Sequence, residues 1–240
     1  MEILANHSVQ YLLKNDYKVY ELCCSGGHYG TTIDKFKGKP LQKIRKEELK
    51  EAARQYALNT NYPTVDLTHW EYIDGHLPVD QSSIARFQNF IHKISPQIVI
   101  APDPFFALDY HPDHINSGLN VYYALKSSPM RDRIHYFLFQ TIKPNYFISY
   151  QDSKVQTRVL APHRSQLTPL QTKLIPKFAR FLYRMITPWK LPTSEPLRKV
   201  TWESQEIWRL KHRIWYRLLQ GVGQPPLEQF HPPPEELGLC

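Results

Sequence analysis

Gln97 to Ala101 (QIVIA) is a short apolar run closed by Pro96 on one side and Pro102 on the other. A strand covered on both faces reads as continuous hydrophobic sequence, and strands of that kind belong to parallel sheets flanked by helices. The neighbouring sequence supplies the helices. Ser82 to Ile94 places Ile84, Phe87, Phe90, Ile91 and Ile94 on one side of a helix. Upstream, Ile3, Val9, Leu12 and Leu13 fall at helical spacing over residues 2–14. Lys18 to Cys23 (KVYELC) follows as a strand that ends in the glycine-containing turn Ser25 to Gly30. A charged helix is predicted over Leu41 to Ala57, then a short strand over Thr64 to Thr68, with Asp74-Gly75 in the loop beyond. Further strands are predicted at Ile134 to Phe139 and Tyr146 to Ser149. This alternation predicts an α/β fold, a Rossmann-like, doubly wound α/β/α arrangement in three layers around a mostly parallel sheet.

The order of elements adds a constraint. The chain opens on a helix that feeds a strand, whereas a doubly wound fold normally places its first strand before that helix, in the sheet centre. The expectation is a sheet lacking the first central strand, in which the strands at Lys18–Cys23 and Gln97–Ala101 either pair directly or leave a gap. Past Ala161 the sequence reads as helical, with breaks at Pro176, Pro188, Pro192 and Pro196. A long helix is predicted from Ser194 or Val200 to Leu219, then a proline-rich tail from Gln224 to Pro234. The domain reading is one unit over residues 1–190 and a helical extension with a proline-rich tail over 191–240.

Composition narrows the class. At 240 residues, with 42% hydrophobic and 22% charged content, the chain suits a globular domain with an appendage. No apolar run approaches the roughly 18–20 residues of a bilayer helix. Asn6, His7, Gln10 and Lys14 interrupt any secretory pattern, so a cytoplasmic location is expected. Cys23 and Cys24 are adjacent and Cys240 is terminal, which allows neither a disulfide framework nor a C-x-x-C metal pair. The net charge of +8 favours anionic partners by steering. Part of it lies in Lys199, Arg209, Lys211, Arg213 and Arg217, which read as a solvated helix face. Trp202, Trp208 and Trp215 read as packing residues, and no nucleic-acid-binding motif accompanies them.

The chemistry concentrates at His111-Pro112-Asp113-His114. Pro112 suits the first helical position, where its missing N–H costs nothing. Asp113 in the first turn is favourable against the helix dipole. Two histidines three apart share one side of the helix start, just past a strand end where ligands bind in open α/β sheets. Imidazole nitrogens are good zinc ligands.

With its neighbours, this stretch resembles the PIG-L/LmbE family of zinc-dependent N-acetylglucosaminyl deacetylases. Asp109-Tyr110-His111-Pro112-Asp113-His114 is similar to the family's D-x-H-P-D-H motif. The loop Ser25 to Gly30, Arg45-Lys46-Glu47-Glu48 with Ala52-Ala53, Asp74-Gly75, and Lys154 with His163-Arg164-Ser165-Gln166 follow in family order. The resemblance covers about residues 1–170. It implies His114 as a Zn2+ ligand and His111 as the catalytic histidine beside the substrate carbonyl. It implies Asp113 as a catalytic-site aspartate that orients a histidine. Asp109 and Tyr110 would line the pocket, Arg45 and Asp74 would hold sugar hydroxyls or a phosphate, and His163 and Glu2 would stand behind the site. The implied partner is an N-acetylated sugar or glycoconjugate; oligomeric state stays open.

One family motif has no counterpart. The His-Pro-Asp-Asp stretch after the family's first strand supplies a histidine ligand, an aspartate ligand and the aspartate base, and Met1 to Leu4 aligns with the residues just after it. The expectation is weak or absent zinc binding and low activity for this sequence alone, unless His7 or His28 substitutes; His69, His76 and His92 are the other histidines considered. Three functions are compatible with these residues. The first is a zinc-dependent hydrolase that removes acetyl from an N-acetylglucosamine-type conjugate. The second is a non-catalytic relative that acts as a carbohydrate-binding or interaction module. The third is a basic nucleic-acid-binding protein.

Overall fold

The computed structural model describes residues 5–30, 37–58, 64–107, 111–189 and 191–202. The chain divides into two units, the first built from residues up to 74 and 147–196, the second from 75–146 and residues after 196.

In the first unit α1 (Asn6–Lys14) leads to β1 (Tyr20–Ser25), α2 (Lys39–Ala57) and β2 (Asp66–Tyr72). β1 and β2 pair in parallel, Tyr20 opposite Asp66 through Cys23 opposite His69. β2 runs four residues beyond its expected end because Thr68, Trp70 and Tyr72 are good strand formers. α5 (Ser153–Leu160) and α6 (Pro169–Ile186) complete the unit. Val9 and Leu13 of α1, Ala52, Ala53 and Tyr56 of α2, and Val155 and Val159 of α5 form one apolar core with Val19 and Val65.

Of the polar residues in α1, Asn6, His7, Ser8 and Gln10 are buried, and each has a task, while Lys14 is exposed. The first N–H groups of a helix have no partner within it. Here Ala5 at the cap offers no side-chain acceptor. The Glu195 carboxylate receives the His7 and Ser8 N–H groups at 2.9 and 3.0 Å, and the Ser8 hydroxyl as well. Asn6 donates to the Tyr56 hydroxyl at 2.8 Å, and Gln10 exchanges two hydrogen bonds with the Asp152 backbone. Nδ1 of His7 accepts the Gln151 N–H at 3.1 Å, with the imidazole against the Tyr150 ring.

In the second unit α3 (Gln81–Ile94), β3 (Ile98–Pro102), α4 (Pro112–Lys126), a single 3-10 turn at Arg131–Arg133 and β4 (His135–Phe139) follow one another. β3 and β4 are parallel, from Ile98 opposite His135 to Pro102 opposite Phe139. β5 (Tyr146–Ser149) and β6 (Ser194–Lys199) each cross from one unit into the other along the chain. The sheet order is β3-β4-β6-β5, with β6 antiparallel to β4 at Phe137–Lys199 and Leu138–Arg198. The fold is mixed α/β, and among the described residues β1 and β3 do not pair directly.

Three expectations need correction. Among the described residues β3 is paired on one side alone, and Ile98, Val99 and Ile100 are half-buried while Ala101 is buried. Pro176 does not break α6: one i→i−4 hydrogen bond is lost, while a Thr168–Gln171 capping box secures the helix start and the Tyr150 hydroxyl donates to the Pro176 carbonyl. Ser194 opens a strand rather than a helix, because proline's fixed φ suits extended backbone and the pairing of Arg198 and Lys199 with β4 decides the segment. The expected helix to Leu219, with Arg209, Lys211, Arg213, Arg217, Trp208 and Trp215, and the proline-rich tail lie outside the described residues. Among the described residues no helix is long and apolar enough to cross a membrane.

Just past β3, Asp103 is completely buried. Its Oδ1 accepts the N–H groups of Phe105 and Phe106 at 2.9 and 3.0 Å. Arg198 of β6 meets both its oxygens, at 2.7 and 2.8 Å, and lays its guanidinium over the Phe106 ring. Removing one partner from such a pair strands the other charge. Asp103→Asn and Arg198→Met are each expected to cost about 3–5 kcal/mol in urea denaturation.

Burial raises the Glu195 pKa from 4.5 to about 7, against the lowering effect of its hydrogen bonds to Ser8 and His7. Burial lowers the His7 pKa to about 4, against a hydrogen bond to Gln156. Between pH 4.5 and 7 the unfolded chain releases the Glu195 proton while the folded chain keeps it, so this group's contribution to stability falls as pH rises. His7 works oppositely, since the unfolded chain takes up its proton below about 6.5 and the folded chain only below about 4. Glu195→Gln removes the first effect alone. Its stability relative to the wild type should improve by about 3 kcal/mol between about pH 4.5 and 7.5, read from denaturation midpoints at the two pH values. A difference independent of pH would refute the assignment.

Candidate active site

The second unit builds the start of α4 from the motif itself. His111 is the N-cap, with extended backbone (φ −64°, ψ 124°), and Pro112 takes the first helical position. Nδ1 of His111 accepts the Asp113 N–H at 3.2 Å, satisfying one of the helix's orphan donors. An imidazole nitrogen that accepts carries no proton, so the neutral ring has its proton on Nε2. The His114 ring lies 4.9 Å from that of His111, tilted by 34°.

Asp113 is buried, and its carboxylate is committed to backbone. Oδ2 accepts the Gly75 N–H at 2.9 Å and Oδ1 the Leu77 N–H at 3.0 Å. Gly75 has φ 84°, a left-handed conformation that glycine adopts without strain. Asn116 donates to the Leu77 carbonyl at 2.7 Å and Asn120 to the Pro78 carbonyl at 2.7 Å, while Asn120 accepts from the Ser83 hydroxyl. Asp113, Asn116 and Asn120 are spaced i, i+3, i+7, so one face of α4 fastens the whole 75–83 segment. That segment ends in the Asp80–Ser83 capping box that starts α3. On another side of α4, a Cβ on Gly118 would lie 2.4 Å from the Pro102 carbonyl oxygen, so only glycine lets the helix approach β3 this closely. Sequence reading passed over Asn116, Asn120 and Gly118; their helical spacing from Asp113 was the available signal for the two asparagines.

The other predicted residues divide by location. Asp109, Tyr110 and Glu2 lie outside the described residues. Arg45 belongs to the first unit, where its Nη2 donates to the Gly30 carbonyl at 2.7 Å and its guanidinium packs on Gly27 and Gly30. Burial lowers the Arg45 pKa, while Asp74 and Glu48 counter it. The same unit places His28 within the field of Asp74 and Arg45, its pKa lowered by burial. Asp74 immediately precedes Gly75, the residue whose N–H Asp113 holds. His163 is buried, and two residues on, Ser165 donates its N–H and hydroxyl to the Glu48 carboxylate at 2.8 and 2.6 Å. The R-x-x-E and H-x-S-Q stretches therefore meet as a structural clasp. Of the histidines considered as substitutes, His7 is packed as described, burial lowers the His69 pKa, His76 is exposed, and His92 bonds Ser128 at 2.9 Å.

The α4 start offers a divalent metal one imidazole donor, that of His114, next to the His111 ring and to a carboxylate held by backbone.

A family model, PIG-L: GlcNAc-PI de-N-acetylase, matches residues 1–125. The diacetylchitobiose deacetylase of Thermococcus kodakarensis is 26% identical over 174 residues, which is 66% of this chain and 63% of that protein. The match thus spans a little less than two thirds of that relative's length. Among solved structures, the N,N'-diacetylchitobiose deacetylase of Pyrococcus horikoshii superposes with a TM-score of 0.72 at 22% identity, covering 83% of this chain and 79% of that one. A conserved protein of Thermus thermophilus gives 0.64 at 17% identity, covering 83% and 89%. At such identities the structural likeness is one of fold.

Asp113→Asn keeps the shape of the side chain but leaves one acceptor for two N–H groups. It should lower stability by about 1–3 kcal/mol. Hydrogen exchange at the Gly75 and Leu77 amides should accelerate more than at β4 amides; uniform acceleration would show that the carboxylate does not act locally.

Proposed function

Because the chain belongs to the GlcNAc-PI de-N-acetylase (PIG-L) family, we propose that it hydrolyses the acetamide of an N-acetylglucosamine-type conjugate, with zinc as its metal. The C–N bond breaks, water adds, and the products are acetate and the free amine, which takes up the remaining proton.

The single observation behind this reading is the hydrogen bond from the Asp113 N–H to Nδ1 of His111. Coordination through Nε2 would require the proton to sit on Nδ1, where the Asp113 N–H already points. His111 is thereby set up as an Nε2–H donor toward negative charge on the acyl oxygen. His114, one turn along, is the metal ligand. When bound, zinc supplies Lewis-acid polarisation of water and of the acyl oxygen. Asp113 is a positioning residue: its amide orients His111 and its carboxylate holds the 75–77 segment. Arg45 and Asp74 are the candidates for sugar hydroxyls or an anionic substituent, and Asp109 and Tyr110 for the pocket wall.

N,N'-diacetylchitobiose is a suitable first substrate because two of the similar proteins are named for it. The test measures acetate release and zinc content in parallel, on the chain alone, which should bind little zinc, and on the chain extended ahead of Met1 by a His-Pro-Asp-Asp segment, which should bind close to one equivalent. His111→Gln should lower kcat by about 10²–10³-fold with zinc content unchanged. His114→Ala should lose the zinc and the activity together. If the extended chain neither holds zinc nor releases acetate from N-acetylated glucosamine conjugates, the reading fails and a non-catalytic, carbohydrate-binding relative takes its place.

A further inference from the structure

Helix α6 is amphipathic, yet its apolar side faces solvent. Only Thr172 and Pro176 are buried along it. Leu170, Leu174, Phe178, Phe181 and Met185 are 65%, 48%, 61%, 61% and 71% exposed, and Trp189, just past its end, is 85% exposed. At about 100° per residue these five helical positions fall within a sector of about 80°, a stripe about 25 Å long. A scattered exposed leucine needs no explanation, but a contiguous stripe of this size marks an interaction surface.

Charge narrows the partner. Lys173, Lys177, Arg180 and Arg184 fall together in the adjoining sector, and α6 contains no acidic residue. Two copies meeting through this face would bring eight cations together, which opposes self-association. An exposed tryptophan, Trp189, also follows the helix end, the side chain that settles best at a membrane–water boundary. An apolar sector bordered by lysine and arginine is the pattern of helices that lie in the headgroup plane.

We propose that α6 docks this protein on an anionic lipid surface, with Phe178, Phe181 and Met185 in the acyl boundary and the four cations against headgroup phosphates and carboxylates. Its interface is distinct from the α4 motif, and the proposal does not depend on the deacetylase reading.

Vesicle flotation of the full chain tests it. Vesicles of phosphatidylcholine with roughly one third phosphatidylserine should carry the protein, whereas phosphatidylcholine alone should bind it at least about tenfold more weakly. The pairs Phe178→Ser/Phe181→Ser and Lys173→Glu/Lys177→Glu should each reduce binding about tenfold or more, with the melting temperature unchanged because these side chains are exposed. Absence of binding to the mixed vesicles overturns the proposal, as does binding that both variant pairs retain. A dimer in sedimentation velocity that Phe178→Ser/Phe181→Ser dissociates would instead assign the face to a second copy. Slow hydrogen exchange of the exposed α6 face in the monomer without lipid, relieved by the same variant, would assign it to another segment of this chain and equally overturn the proposal.

Discussion

A buried carboxylate has to find hydrogen-bond donors, and Asp113 finds them in the backbone on the far side of a loop. Its two oxygens hold the Gly75 and Leu77 amides, while its own amide is spent on Nδ1 of His111. One residue thus couples three things: the entry angle of α4, the path of the 75–83 segment and the proton position on His111. Asn116 and Asn120 extend the same attachment up the helix, and Gly118 lets the helix come close to the end of β3. The motif is built as a rigid corner before any substrate or metal is considered.

The same device recurs away from the motif. Asp103 holds two amides and Arg198; Glu195 holds two amides and the Ser8 hydroxyl; Glu48 holds the amide and hydroxyl of Ser165. In each case an acidic side chain completes backbone that the local structure leaves unsatisfied, at a helix start or in a turn. Leaving such groups buried and unpaired would cost more than the net gain of an ordinary hydrogen bond. These clamps explain how a chain with so many buried polar groups on α1 can still pack an apolar core against it.

Much of this could be read from sequence, for identifiable reasons. α3 and α4 emerged because their apolar residues and caps agree, and the helical start at Pro112 follows from proline at the first position after a capping histidine. β6 escaped detection because Ser194-Glu-Pro-Leu-Arg-Lys has neither strand periodicity nor strong strand formers; its conformation is imposed by pairing with β4 and by the burial of Glu195 and Arg198. Pro176 misled for the converse reason, since local punctuation was outweighed by a long amphipathic helix with a sound cap. His111 and His114 were legible as a pair from their spacing. The tautomer of His111 was not, because it depends on which nitrogen the Asp113 amide meets, and spacing says nothing about that.

β6 carries Glu195 for the first unit and Arg198 for the second, three residues apart and near the end of the described chain. During synthesis, α1 and the turn after β3 are made long before the residues that complete their hydrogen bonding. Until β6 has left the ribosome, both regions are short of a long-range partner, while attachments such as that of Asp113 to the 75–77 segment need nothing from it. Completion of the hydrogen bonding in both units therefore waits on the same six residues.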